Sequence, residues 1–414
     1  MAASSGGVGE RRVVISGMGA VSAAGVGAAA LWTAARDGVS QIRPLVTEYP
    51  YDGRIRIAAQ VPGFDPSQYL EKALLTFCDP FTQFTLVAAD EAVAQAGFAR
   101  EELSGPRVGV IVGSGIGGMT TIDNGLRHYY QERIRPDPFS VPRLIPSAAP
   151  TTLGMRYSAN GPTFALGSAC SSASQAVGLG AQMIRFGLMD RAIVGGAEAC
   201  VINGTIRAWE GLRVMTPDFC RPFSMGRNGM SLGEGAAVFV LETLESAQKR
   251  GHAPLCELAG YGTTSDAKDF VRPDLDGMTG AMQAALADAG LGPEAIDYLN
   301  AHGTATHAND VTEAAAIGRV FGERAAHLPV SSTKPIHGHA LGASAGLELA
   351  LTIRALQEQI APPTINFLGF DPRCPIDAVP NEARRVEIRT AMSNSFAFGG
   401  INAVLIVRAL AGEA

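Results

Sequence analysis

The sequence predicts an α/β protein made of two similar halves packed as one unit. Three observations carry this. Apolar strand patterns alternate with helical patterns, as they do when sheets are covered on both faces. The alternation restarts past about residue 252. No Ser/Gly/Pro-rich linker separates the two stretches, which resemble each other in layout more than in sequence. The expected organisation is a frayed tail at 1–10, a first half at 11–252 and a second half at 253–414.

The first strand pattern is Arg12–Gly17, followed by helical patterns at 27–37 and 80–97. Arg107–Gly113 is a continuous apolar strand, and 143–157 reads as one helix. A strand over 163–168 runs into Cys170, and 171–186 is the helix after it, with Ala173, Val177, Ala181 and Ile184 at helical spacing. Arg191–Ala197 and Ala236–Leu241 close the first half as strands. In the second half strands are expected at 255–264, 296–301, 386–392 and 402–408, and helices at 276–290, 309–321 and 340–357.

A chain of 414 residues, 47% hydrophobic and 17% charged, has ample material for a large core. Its glycines cluster beside small residues, which points to tight turns and close backbone packing. A formal charge of −6 argues against a general nucleic-acid binder, while leaving room for a local basic patch facing an acidic protein. Six cysteines without a C-x-x-C pair read as reduced thiols in a reducing compartment, hence a cytoplasmic protein. No apolar run of about 18 residues predicts a membrane span. Residues 1–10 lack the apolar core of a secretory signal.

One cysteine stands in a chemical setting. In Phe164–Ala173 a short apolar run ends in small residues, then Cys170, then a helical pattern. A helix start offers unpaired N–H groups and the positive end of the macrodipole, so the thiol there is expected to have a lowered pKa and to act as a nucleophile. The second half supplies histidines at strand ends beside glycine: His302 in Asn300–Thr306, and His337 and His339 after Lys334 in Ser331–His339. Loops at strand ends are where α/β sheets place functional groups. Ser393–Asn402, with Gly399 and Gly400, reads as a glycine-rich turn joining two strands, able to approach a ligand closely.

Other motifs are set aside. Gly17-Met18-Gly19 has Ser22 where a dinucleotide loop needs its third glycine. Gly113–Gly118 lacks the P-loop lysine and the spacing of an esterase elbow. No Cys/His ligand pair has zinc spacing outside His337-Gly338-His339, so no metal is expected.

Cys170, the His302 loop, the Lys334–His339 loop and the Phe396–Asn402 turn resemble, in order and spacing, the β-ketoacyl-[acyl-carrier-protein] synthases of the elongating, type II kind. The resemblance runs from about residue 11 to the end and takes in Arg221–Ser224 and Leu232–Ala236. It implies a thiolase-like, five-layered αβαβα fold, usually a homodimer, with a heterodimer of related synthases as the variant. Cys170 would accept an acyl chain from the phosphopantetheine of an acyl carrier protein. His302 and His339 would serve decarboxylative condensation with malonyl-carrier protein. The backbone N–H groups of Cys170 and Phe398 would form the oxyanion hole, and Phe398 would gate the thiol. Lys334 would supply a fixed charge and Glu313 a supporting acid, with a structural salt bridge as the rival reading of both. Thr304 and Thr306 match positions that contact pantetheine. No metal or organic cofactor, nucleic acid or membrane is implied.

The chain departs from the housekeeping pattern at His337, at Ser171-Ser172-Ala173-Ser174 and at Ala208–Arg213, where it looks more like nodulation-type and other specialised synthases. His337 is either a third polar group of the site or a side chain facing the helix start or solvent. Two other functions compete: a thiolase-like coenzyme A enzyme, which needs a second catalytic cysteine in the C-terminal half, and a chain-length-factor-type partner subunit, which lacks the nucleophile.

Overall fold

The computed structural model describes residues 11–410; the expected tail at 1–10 lies outside the described residues. Ten principal strands form a single hydrogen-bonded sheet. The first half contributes β1 (Val13–Ser22), β2 (Val108–Gly113), β3 (Thr163–Leu166), β4 (Arg191–Glu198) and β5 (Gly235–Thr243). The second contributes β6 (Cys256–Ser265), β7 (Tyr298–Asn300), β8 (Val330–Ser331), β9 (Thr390–Ala397) and β10 (Ile401–Arg408). From edge to edge the order is β8-β7-β9-β10-β6-β1-β5-β4-β2-β3.

This order is a duplication. In each half the third strand pairs with the second, the second with the fourth, the fourth with the fifth and the fifth with the first. The first two of those pairings are parallel and the last two antiparallel in both halves. The halves meet where β1 pairs with β6, Val14 opposite Glu257 and Ile15 opposite Cys256.

The helices repeat too. The first half holds α1 (Pro80–Gln95), α2 (Ala148–Tyr157), α3 (Ser172–Arg185) and the small surface helix α4 (Asn203–Gly211), and the second holds α5 (Leu275–Ala289), α6 (His307–Phe321) and α7 (Ser344–Glu358), which repeat α1, α2 and α3 in order. α3 and α7 pack on each other and on strands of both halves, α1 covers β1 and β5, and α5 covers β6 and β10. The result is the five-layered thiolase-like arrangement. α7 shows why it sits centrally: twelve of its residues, from Ser344 to Leu356, are buried. A helix apolar on most faces needs cover on most faces.

Two expectations are corrected. The single helix at 143–157 is two, Ser140–Leu144 and Ala148–Tyr157. Ile145 precedes Pro146 and takes an extended conformation (ψ 138°), which the proline ring imposes by excluding the helical one. The strand expected at 386–392 runs instead over Thr390–Ala397. Ser393, Asn394 and Ser395 are therefore strand residues, and the turn shrinks to the residues between Ala397 and Ile401. Their polarity reads as a loop, but neighbouring layers bury them.

Gly17 and Gly19 lie within β1, where α1 crosses it. A Cβ at Gly19 would sit 2.0 Å from the Ala88 carbonyl oxygen, and one at Gly17 would sit 2.1 Å from that of Ala92. The pair is a packing device, not a nucleotide loop. Gly19→Ala is expected to lower stability by about 1–3 kcal/mol or more through overpacking, read as a drop in the urea midpoint at unchanged slope.

Candidate active site

β3 delivers the chain to Cys170. Ala169 is forced into the left-handed region (φ 47°), a strain of roughly 1–3 kcal/mol of the kind found at functional turns. Ala169–Ser171 make one 3-10 turn and α3 begins at Ser172. The serines after the thiol hold this turn in place. Ser172 Oγ accepts from the Ser168 N–H (2.9 Å) and donates to the Ala169 carbonyl (2.7 Å). Ser171 Oγ reaches the carbonyls of Ser395 (3.0 Å) and Ile401 (2.8 Å), and Ser174 Oγ lies 3.1 Å from Ser395 Oγ. The Cys170 turn is thereby tied to the β9–β10 hairpin of the other half. That hairpin carries Phe398, whose backbone N–H, like that of Cys170 itself, favours the anionic form of the sulfur.

The expectation of a lowered thiol pKa is overturned for this closed site. Cys170 is 5% exposed, and burial pushes its thiol up to about 12. The Lys334 charge and the Phe398 N–H pull it down, but by less. The resting group is a thiol, because taking a thiolate out of water costs more than these partners return.

His302 follows β7 and His339 follows the short helix Lys334–His337. Sγ of Cys170 and one nitrogen from each ring lie within 4.8 Å of one another, and the rings meet edge to face with centroids 5.5 Å apart. Their tautomers follow from their neighbours. Leu341 N–H, which only donates, meets His339 Nδ1 at 3.2 Å, and Ser344 Oγ lies 2.8 Å away. Lys334 Nζ meets His302 Nδ1 at 3.3 Å. Both Nδ1 atoms are acceptors, so both Nε2 atoms carry hydrogen. Burial first, then the Lys334 charge, hold both histidines well below their ordinary pKa, hence neutral. Two neutral N–H donors converge beside a thiol. A metal held by these rings would need bare Nε2 atoms, the opposite tautomer.

Lys334 is fully buried. Its ammonium donates to the His302 carbonyl (2.6 Å) and to Glu348 Oε1, besides facing His302 Nδ1. Lys334 does form a salt bridge, with Glu348 of α7 as its acid, and its charge also faces the His302 ring. Burial pushes Glu348 up to about 7 against the pull of Lys334. Glu313 of α6 makes no such bridge: its carboxylate accepts the N–H groups of His302 and Gly303, each at 2.8 Å, and so clamps the histidine loop. Glu198, at the end of β4, takes N–H groups from Gly115 (2.7 Å) in its own half and Gly342 (3.0 Å) in the other, fastening the loop after His339.

The cavity holding Cys170, His302 and His339 is walled by Trp209, Met230, Phe396 and Phe398 among others. Thr304 and Thr306 line it, their hydroxyls 2.9 Å apart. His337 is outside it. Its Nε2 lies 3.0 Å from Thr333 Oγ1 at the helix start, and burial pushes it down to about 3. Of the readings open for His337, neither solvent nor the site holds.

Glu348 and Ser344 were not singled out from the sequence, and Trp209 entered only within the segment Ala208–Arg213. Glu348 had a signal, the lone charge in the apolar run Leu347–Ile353. Ser344 had none, because its role depends on how the loop after His339 folds back.

The chain matches the family model of the β-ketoacyl synthase N-terminal domain over residues 10–247 and that of the C-terminal domain over 255–368. It is 41% identical over 400 residues to nodulation protein E of Rhizobium leguminosarum bv. trifolii, covering 96% of this chain and 99% of that protein. It is 40% identical over 408 residues to 3-oxoacyl-[acyl-carrier-protein] synthase 2 of Staphylococcus aureus (strain COL), covering 96% and 98%. Among solved structures, the ishigamide ketosynthase/chain length factor aligns with a TM-score of 0.92 at 35% identity, over 97% of this chain and 99% of that one.

Glu348→Ala leaves a buried ammonium without its acid and is expected to cost about 3–5 kcal/mol, measured by chemical denaturation. Replacing Lys334 and Glu348 together by Met and Leu should restore most of that stability.

Proposed function

The chain belongs to the β-ketoacyl synthase family, and from the site around Cys170 we propose that it works as a 3-oxoacyl-[acyl-carrier-protein] synthase, with an acyl carrier protein delivering both substrates. The observation that carries the reading is a thiol within 4.8 Å of one nitrogen from each of two neutral imidazoles whose Nδ1 atoms are already occupied, with the Phe398 backbone N–H also acting on the sulfur. Acyl transfer and decarboxylation each develop negative charge on a thioester oxygen, and this site offers one donor pair for each.

In the first step Cys170 Sγ attacks the acyl thioester. Its carbonyl oxygen becomes an oxyanion held by the Cys170 and Phe398 N–H groups, each such donor worth roughly 3–4 kcal/mol in rate. The pantetheine sulfur departs with the proton that Cys170 gives up, so the exchange balances. Thr304 and Thr306 offer hydroxyls to the pantetheine arm. In the second step the malonyl C–CO2 bond breaks and its electron pair moves toward the thioester oxygen, where His302 and His339 donate. The carbanion then attacks the Cys170 thioester carbonyl, the C–S bond breaks, and the sulfur recovers a proton from water. Loss of CO2 replaces a strong base, so the sequence of steps calls on no metal or cofactor.

Lys334 helps keep both histidines neutral and occupies the Nδ1 atom of His302. Phe398 would act as the gate over the sulfur. The thiolase-like alternative lacks support, since neither Cys256 nor Cys374 lines the cavity. The chain-length-factor alternative is disfavoured by the presence of Cys170, His302 and His339.

A second copy of this chain is the proposed partner in assembly. β3 is a half-exposed edge strand carrying Phe164 and Leu166, and Leu126, Tyr129, Tyr130 and Val141 are exposed between β2 and α2. No helix among the described residues is long and apolar enough to cross a membrane. All six cysteines are free, which suits the cytoplasm.

Incubation with acyl-carrier protein should add one acyl mass to the intact protein, and Cys170→Ala should abolish the adduct; a variant that still loads would overturn the assignment. Because both histidines sit well below their ordinary pKa, they remain neutral as pH falls through 6.5. Malonyl decarboxylation should therefore stay level from pH 8 down past 6, whereas a loss centred near 6.5 would contradict the donor role. Light scattering should give twice the chain mass; a monomer that doubles only when a related synthase is added would point to a heterodimer.

A further inference from the structure

The Ala208–Arg213 segment, one of the departures from the housekeeping pattern, meets the site through one side chain. Trp209 of α4 lies on the Phe398 ring, centroids 5.5 Å apart and planes at 21°, an offset stack. Phe398 needs such a partner. It is followed by Gly399 (φ 83°) and Gly400 (φ 70°), left-handed positions that leave the turn little stiffness of its own. α4 in turn is braced from outside the cavity. Glu210 accepts from Tyr51 Oη (3.0 Å) and the Arg54 N–H (3.0 Å), and Asn203 Nδ2 reaches the carbonyls of Tyr49 and Pro50.

We propose that Trp209 is a positioning residue: its indole latches Phe398 closed over Cys170 and in that state keeps the Phe398 N–H on the sulfur. The latch links the gate to a surface helix, so the strength of the stack sets how often the thiol is open to a reagent. Its bearing on catalysis rests on the reading of Cys170 as nucleophile.

The test is the rate at which iodoacetamide alkylates Cys170, read by mass spectrometry of the Cys170 peptide in the full-length protein. Cys170 is 5% exposed, so alkylation draws on the open population. An aromatic pair of this geometry shifts such a balance roughly two- to tenfold. Trp209→Ala should raise the rate by that factor, and Trp209→Phe, which keeps a ring, should leave it near that of the parent. Trp209→Ala should add nothing in a Phe398→Ala background, because the two groups act as one. Equal rates in parent and Trp209→Ala, or a full increment on top of Phe398→Ala, would overturn the latch. If the alanine variant does not fold, Trp209→Leu keeps the bulk without the ring and is held to the same factor. Hydrolytic loss of a preloaded acyl group should rise in parallel. Alkylation reads the latch alone and acyl loading reads the nucleophile, so the two proposals fail separately.

Discussion

The Lys334 ammonium is the fixed point around which the site is built. It is fully buried, with the Glu348 carboxylate, the His302 carbonyl and the His302 ring nitrogen as its three acceptors. A cation removed from water requires this degree of compensation. The arrangement dictates the tautomer of His302, helps hold both His302 and His339 neutral and lowers the cost of charge on the sulfur. Glu348 lies on the central helix α7, so the fold's core and the site's electrostatics share one helix.

Duplication explains why the site forms where it does. The two halves present equivalent strand ends, and α3 and α7 run side by side between the layers. The N-termini of those two helices bring Cys170 and Ser344, the latter supporting His339, toward one point. Loops of one half are then fastened by groups of the other. Ser171 is bonded to the β9–β10 hairpin, His339 N–H to the Ser231 carbonyl, and Glu198 to Gly342. Neither half holds a complete donor set.

The burial that would make the proposed donors effective also suppresses the proposed nucleophile. In a dry cavity a hydrogen bond to a developing oxyanion counts for more than in water. The same dryness raises the resting thiol to about 12. A thiol that exchanges its proton with the departing sulfur during acyl transfer meets both demands. The proposed gate, whose closed form would supply an N–H to the sulfur and whose glycines would let it leave, belongs to the same compromise.

Much of this was legible in the residue order: the α/β alternation, its restart near 252, and Cys170, His302, Lys334 and His339 at strand ends beside small residues. These are local signals, written in periodicity and in side chains whose chemistry is scarce. The pairing of Lys334 with Glu348 rather than Glu313, the burial of His337, the strand conformation of Ser393–Ser395 and the stacking of Trp209 on Phe398 were not legible. Each depends on which distant segment arrives to cover a polar or aromatic group. The thiol's proton affinity is the plainest case: the residues around Cys170 suggest a helix-start anion, and only the layers that close over it, by excluding water, turn it back into a thiol.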